Sequence, residues 1–383
     1  MIVAVPRETY PGETRVALTP DSVGPLTKAG AEVVVEAGAG VAALAADSEF
    51  EAKGARIESD RAKMLGEADA VLYVRGPGSN PEFPDSDLDA MKQGAAIIAF
   101  LDPLDDVAKM QQIAARGISL LSMELMPRIT RAQSMDALSS MASVAGYKAV
   151  LMAANAAPKM FPMMMTAAGT LKPAKVFVLG AGVAGLQAIA TAKRLGAVVE
   201  GYDIRTAVKE QIESLGAKFV EIKVDVETTK GEGGYAAAQS KEYYARQQEL
   251  LGEHLSGMEI IITTAAVPGR KAPILITEKM CEGLRPGTIV VDLAAERGGN
   301  CALTKPGERV DYNGVVILGP LNIAAQTPLH ASQMYSKNIT TFLLHLIKDG
   351  QLTLDPEDEI TAGTLVAMGG SITHPMVKEK LGE

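Results

Sequence analysis

The sequence has no tryptophan, and aromatic residues make up only 4% of its 383 positions. Without large rings, the core must be built from Ala, Val, Ile, Leu and the 18 methionines, a balance that suits helices packed closely on parallel strands. Cys281 and Cys301 are the only cysteines, too few for a disulfide framework and without the spacing of a metal site. A reducing compartment and no metal are expected. Basic residues are outnumbered, 37 against 46 acidic, and the net charge of −9 leaves no face for phosphate backbones. No nucleic-acid partner is expected. No run reaches the ~18 uninterrupted apolar residues of a spanning helix. The nearest stretch, 149–169, is broken by Asn155, Pro158, Lys159 and Pro162. The opening MIVAVPRETY passes straight into a strand-like run and does not read as a signal peptide. A soluble chain is expected.

What is present is a globular composition, 47% hydrophobic and 22% charged, in a chain long enough for two domains. Short apolar runs alternate with helix-length amphipathic stretches, as in βαβ units. IVAVP, AEVVVEAG, DAVLYVRG, GAAIIAFL and GISLLSMEL form a first strand series ending near residue 126. A second series runs through KVFVLGAG, AVVEGYD, AKFVEI, EIIITTAA, GTIVVDLA and VVILGP. Thr19-Pro20-Asp21 supplies a helix start. Long helices over 135–157 and 328–348 would link the two series. The expected fold is α/β: two Rossmann-like domains with parallel sheets, joined by long linking helices. The first would comprise 1–135 and 328–383, and the nucleotide domain 136–327 would be inserted between them.

Gly180-Ala181-Gly182-Val183-Ala184-Gly185 matches GxGxxG, preceded by the strand-like KVFVL and followed by the helical LQAIATAKRLGA. In that context Gly180 permits a tight turn, Gly182 lets a pyrophosphate approach the backbone, and Gly185 lets helix and strand pack closely. The helix start offers free N–H groups to the phosphates. Asp203 ends the next strand, where a carboxylate can accept bonds from both ribose hydroxyls of NAD and repel the extra phosphate of NADP. Arg205 nearby softens that discrimination. The alternative is a glycine turn in a flavodoxin-like sheet. NAD(H) is the expected cofactor.

Oxidation of an alcohol or amine also moves a proton and needs an acid or base, usually His or Lys. The four histidines are His254, His330, His345 and His374, and none lies in the first 135 residues. His254 reads as solvated, His345 as a core residue, and the other two as structural. Hydride transfer between two nicotinamides needs only aligned rings and the exclusion of water. A strong NAD signature without a convincing acid or base fits that reaction. The polar, Gly-rich 223–255 region is either a lid or a tolerated surface insertion.

RITRAQSMD, 128–136, sets two arginines, Thr, Gln, Ser and Asp in an otherwise apolar neighbourhood. Read from the residues alone, it is a helix N-terminus capped by Thr130 or Ser134, or a polar grip on a ligand. MELMPRITRAQSMDALSS, FPMMMTAAGT, GVAGLQAIATAKRLGA and VVDLAAERGGNC carry a more specific pattern. Through these stretches the chain resembles the NAD(H)-binding component, domain I, of proton-translocating nicotinamide nucleotide transhydrogenase, over essentially its whole length. The family includes alanine dehydrogenase, which shares an opening like PRETYPGETRVALTP and is the alternative activity. In that enzyme an Arg of the opening binds the substrate carboxylate, and a Lys and a His act on the substrate. Here Arg15 remains, the Lys position falls at Arg75, and IIAFLDP holds no His.

The resemblance implies a homodimer, NADP(H) on a separate component, a membrane-spanning proton-channel component, and a peripheral place on the cytoplasmic side of a bacterial inner membrane. It implies NAD(H) contacts at Arg128, Ile129, Thr130, Gln133, Ser134, Met135, Asp136 and Ser139. Further contacts fall on Ala181 to Val183, on Asp203, Ile204 and Arg205, and on Gly234, Gln247 and Ala266. Tyr235 matches the tip of a closing loop, and Met163 to Met165 match a dimer-contact segment, although composition alone would make that Met run core. Arg128, Gln133, Asp136, Ser139 and Tyr235 are the residues expected to serve the transfer step. Arg128 and Asp136 would pair and hold the loop near the ring, and Gln133 would bond the carboxamide or ribose.

Overall fold

The computed structural model describes residues 1–222, 241–266 and 269–382, and the chain divides into two compact units, 1–144 with 324–383 and 145–323. In the first unit, β1 (Ile2–Val5), β2 (Glu32–Glu36), β3 (Arg56–Glu58), β4 (Ala70–Arg75), β5 (Ala96–Phe100) and β6 (Ser119–Ser122) lie in the order 3-2-1-4-5-6, all parallel. Two returning strands, Leu365–Met368 and Ser371–Ile372, extend that sheet antiparallel beyond β6.

Alternate side chains of these strands enter different cores. Val3, Val5, Val33, Val35 and Leu72 pack in one cluster, and Ala4, Val34, Val71 and Tyr73 in another. Burial on both faces is why the strands read as continuous apolar runs and not as alternating ones.

In the second unit a short hairpin, β7 (Met164–Thr166) with β8 (Gly169–Leu171), precedes the sheet. The sheet itself holds β9 (Lys175–Leu179), β10 (Val198–Tyr202), β11 (Lys218–Phe219), β12 (Ile260–Thr263), β13 (Ile289–Asp292), β14 (Arg309–Tyr312) and β15 (Val315–Leu318). Its order is 11-10-9-12-13-15-14, again the doubly wound pattern, closed by the antiparallel edge strand β14. The hairpin is exposed along its whole length, so the core assignment of the Met run from composition is wrong.

Four helices bear on function: α1 (Ala137–Ala156), α2 (Val183–Arg194), α3 (Lys241–Leu255) and α4 (Pro328–Leu346). By length and composition α1 is apolar enough to cross a membrane, although Ser139, Ser140, Ser143, Lys148 and Asn155 interrupt its apolar run. Part of it is core: Ala137, Met141 and Val144 in the first unit, Ala149, Val150 and Ala153 in the second. Helix α4 starts with Pro328 at its first turn and returns the chain to the first unit. Its Ala331, Tyr335, Ile339, Phe342 and Leu343 are fully buried there.

Because Ile339 is fully buried in the core beneath α4, Ile339→Ala should cost about 2–5 kcal/mol in urea denaturation. A loss under ~1 kcal/mol would show that α4 is not part of this core.

Candidate functional site

The carboxyl ends of parallel strands, where the order reverses beside the first strand, are where doubly wound sheets bind ligands. Both units have such an edge. In the second unit it is built around the glycine turn between β9 and α2. Gly180 has φ +97°, and a Cβ there would lie 2.6 Å from Thr264 Oγ1. A Cβ on Gly185 would lie 1.8 Å from the Gly180 carbonyl oxygen, whereas one on Gly182 would meet nothing within 4 Å. Two glycines are therefore required by packing, and the middle one faces open space. Helix α2 begins there with Gly182 as its cap, and exposed Val183 opens the first turn. Backbone N–H groups of that turn are available to an anion.

Asp203 follows β10 and is 9% exposed. Its Oδ2 accepts from the Ala181 N–H at 2.8 Å, which ties the end of β10 to the glycine turn. Burial raises the Asp203 carboxyl, but Arg205 and the Ala181 N–H outweigh it and leave it below the usual carboxylate range. Ile204 beside it is 82% exposed. Gln247 on α3 donates to the Tyr202 hydroxyl at 3.0 Å, bringing α3 to the end of β10. Gly234 and Tyr235 lie outside the described residues, as does most of the expected lid; the described part of that region from Lys241 on is helix α3.

Ala266 is exposed past β12, and its neighbour Ala265 is held by a residue that the sequence reading did not single out. Fully buried Asn300 accepts from the Ala265 N–H at 3.0 Å and donates to the carbonyls of Ala265 and Pro273, each at 2.8 Å. Asn300 is itself set by Asp292, which takes its N–H at 2.7 Å and also bonds Thr263, Ala294, Cys301 and Thr304. Both residues lie in VVDLAAERGGNC, the signal that could have identified them.

In the first unit the 128–136 stretch forms a 3-10 turn, Thr130–Met135, seated by buried Ala132 and Met135. Asn338 of α4 donates to the Ser134 carbonyl at 2.9 Å. Arg128, Thr130, Gln133 and Ser134 are exposed, and Ile129 is half-buried. The expected Arg128–Asp136 pair is not formed. Asp136 instead caps α1, accepting from the Ser139 N–H at 2.9 Å and its hydroxyl at 2.6 Å. The helix cap is thus neither Thr130 nor Ser134. The ion pairs of the stretch belong to Arg131, 3.7 Å from Asp358 and 3.8 Å from Glu359.

The first unit's own strand edge carries charged side chains around a cavity of about 350 Å³ lined by Arg7, Glu8, Thr9, Glu36, Arg61 and Asp87. Glu8, just past β1, accepts from the N–H groups of Val74 at 2.6 Å and Arg75 at 3.1 Å at the end of β4. Buried Arg15 holds Glu13 through Nε at 2.7 Å and Nη2 at 2.6 Å, and Arg75 lies 3.6 Å from Glu13 and 4.3 Å from the centre of the Tyr10 ring. Glu36 at the end of β2 is held by Arg7 and Arg61, and Arg61 also forks onto Asp87.

Two of the histidines differ from expectation. His254 is half-buried and 2.6 Å from Glu200, and His345 bonds Asp358 at 2.7 Å. His330 is exposed, and burial lowers the pKa of His374.

Two family domains account for most of the length: "Alanine dehydrogenase/PNT, N-terminal domain" matches residues 4–145, and "Alanine dehydrogenase/PNT, C-terminal domain" matches 149–375. The chain belongs to the alanine dehydrogenase/PNT family. Within it, the chain is 46% identical to the first part of the NAD(P) transhydrogenase alpha subunit of Rhodospirillum rubrum, over 98% of both chains. Identity to the Rickettsia prowazekii counterpart is 43%, over 99% of this chain and 97% of that one. An alanine dehydrogenase of Halomonas elongata is 28% identical over 100% of this chain and 97% of its own. A crystal structure of transhydrogenase from Sinorhizobium meliloti superposes with TM-score 0.87 at 45% identity, covering 97% of this chain and 100% of that one.

For this member of the alanine dehydrogenase/PNT family, Gly182→Ala should leave stability within about 0.5 kcal/mol but weaken dinucleotide binding by at least about tenfold, because only the ligand would meet the new methyl. Gly185→Ala should lower the melting temperature as well. Melting curves and NADH fluorescence titration separate the two.

Burial and then Glu13 push the Glu8 carboxyl up to about 8, and burial and then Asp102 push Glu124 up to about 7. Between the ordinary value of 4.5 and those raised values, the folded chain keeps protons that the unfolded chain has released. Their contribution to stability is complete below about 4.5 and lost as pH rises through about 7 to 8. Denaturant midpoints should fall over that window, and Glu8→Gln should flatten the slope. An identical slope in the variant would assign the titration to other groups.

Proposed function

We propose that the chain is the NAD(H)-binding component of a proton-translocating NAD(P)+ transhydrogenase, passing hydride between NADH and NADP+ held on a separate component. A membrane-spanning partner would couple that transfer to proton passage, with this chain peripheral on the cytoplasmic side of a bacterial inner membrane. The observation that carries the proposal is the 46% identity to the R. rubrum alpha-subunit chain over 98% of both sequences. The site chemistry supports it. The second unit has a glycine-formed strand edge with an ionised carboxylate beside it, while at the corresponding edge of the first unit the side chains of Glu8, Glu13 and Arg15 stand in place of a glycine turn.

In this proposal the N–H groups at the start of α2 hold the pyrophosphate, and Asp203 accepts from the adenosine ribose. Ala181, Val183, Ile204, Arg205, Gln247 and Ala266 line the same half, with Gly234 and Tyr235 contributing from the loop. Bound NADH supplies the hydride. The 128–136 stretch and Ser139 serve the nicotinamide end: buried Ala132 and Met135 fix the turn, so exposed Gln133 can orient the carboxamide at little entropic cost. Asp136 acts by capping α1 and so setting the position of that turn. No proton acceptor is required, which agrees with Arg75 lying against Glu13 where alanine dehydrogenase has its Lys. The exposed hairpin and the residue before it, with Met163 59% and Met165 75% exposed, are the proposed seat of a second copy in the homodimer.

The test mixes the purified chain with the NADP(H)-binding component of a related transhydrogenase and follows hydride exchange from NADH to an NADP analogue. Gln133→Asn should slow exchange by up to about 100-fold, the sensitivity of transfer to ~1 Å of misplacement. Asp136→Asn retains a good capping residue but replaces the oxygen that accepts from the Ser139 hydroxyl, so its melting temperature should hold while exchange falls as Ser139 is released. Exchange at the parent rate in both variants would remove the stretch from the site. NADH oxidation by the chain alone with pyruvate and ammonia would replace the proposal by an amino-acid dehydrogenase.

A further inference from the structure

The Asp203 carboxylate is gripped by four N–H donors. Its Oδ1 accepts from the Arg205 backbone N–H at 2.8 Å and from Arg205 Nε at 3.0 Å. Its Oδ2 accepts from the Ala181 N–H at 2.8 Å and from Arg205 Nη2 at 3.0 Å. Two of these donors are backbone groups fixed by the glycine turn and by the 3-10 turn Thr206–Val208. The other two form the planar fork of a guanidinium, which matches carboxylate and phosphate oxygens equally well. Arg205 is raised further above its ordinary value by its bonds to Asp203, and its side chain remains 59% exposed. The four donors thus form an anion cradle beside the ribose position, and the chain fills that cradle with its own carboxylate.

We propose that Arg205 is a second specificity-determining residue: with the Ala181 N–H it forms a 2′-phosphate-competent cradle that Asp203 keeps closed. This rests on the proposed reading of the Gly180–Gly185 turn as the NAD(H) site. Discrimination against NADP(H) then has two parts. Asp203 repels the extra phosphate, and it also occupies the donors that would bind that phosphate. Removing the carboxylate does more than relieve repulsion, because it frees a preorganised set of N–H groups at the place where the 2′-phosphate arrives. A lone exposed arginine would provide only a flexible, screened charge.

The experiment measures binding of NADH, NADPH, adenosine 5′-monophosphate and adenosine 2′,5′-bisphosphate to the parent, Asp203→Ala, Asp203→Ser and Asp203→Ala/Arg205→Ala, with melting curves for each. Both single variants should bind NADH at least about tenfold more weakly and bind NADPH and the 2′,5′-bisphosphate at least about tenfold more tightly than the parent does. The double variant should lose that gain. The two adenosine ligands confine the readout to the ribose half, and the two substitutions guard against one of them failing to fold. Folded single variants that gain no affinity for the bisphosphate overturn the proposal, as does a gain that survives loss of Arg205. NADH binding unchanged in both single variants would instead overturn the assignment of Asp203 to the ribose, a separate failure.

Discussion

A Cβ on Gly185 would sit 1.8 Å from the carbonyl oxygen of Gly180, and that steric limit governs how closely α2 can lie on β9. With no side chain there, α2 starts directly over the strand end, and its free N–H groups face the place where the order of the sheet reverses. Gly180 adopts φ +97° beneath Thr264 for the same reason. The bond from the Ala181 N–H to Asp203 then locks the next strand to the turn. One close approach of helix to strand thus brings the start of α2, the glycine turn and the Asp203 carboxylate together.

The parallel strands of the two units follow the same order, although their antiparallel edge strands differ. In the first, the opening after β1 is PRETYPGETR instead of a glycine turn, and Glu8 reaches across to the N–H groups at the end of β4. Glu36 ends β2 much as Asp203 follows β10, and it too is held by an arginine through a backbone N–H and Nε. The first edge carries these contacts together with those of Glu13, Arg15 and Arg75 around a cavity, whereas among the described residues the glycine turn of the second is tied to Asp203. In one architecture the first turn is thus built from charged side chains in one unit and from glycines in the other.

The strand series and both long helices were legible because strands buried on two faces are continuous apolar runs and because Pro328 marks a helix start. Strands β3 and β11 and the second returning strand have only two or three residues, and β14 is half-exposed, so their composition says little; Leu365–Met368 is a short buried apolar run that was passed over. Only β11 was placed, within AKFVEI. The Met run of the hairpin misled composition in the opposite direction, since methionine is common in cores and here stands in solvent. His254 and His345 were misjudged because their partners, Glu200 and Asp358, are supplied by other elements. The 128–136 stretch could be picked out as polar among apolar neighbours, but the role of each charge could not.

By itself the sequence determined the class of fold, the position of the glycine turn and the acid that follows it, because these depend on local rules: periodicity, turn geometry and strand length. Tertiary structure alone decided which charges meet. Asp136 pairs with Ser139 instead of Arg128, Arg131 reaches Asp358, Asn300 holds Ala265, and Glu8 closes the first unit's edge. Most of these partners are distant in the chain. A hydrogen bond between distant residues depends on where the sheets and helices place its two ends, and no spacing along the chain encodes that.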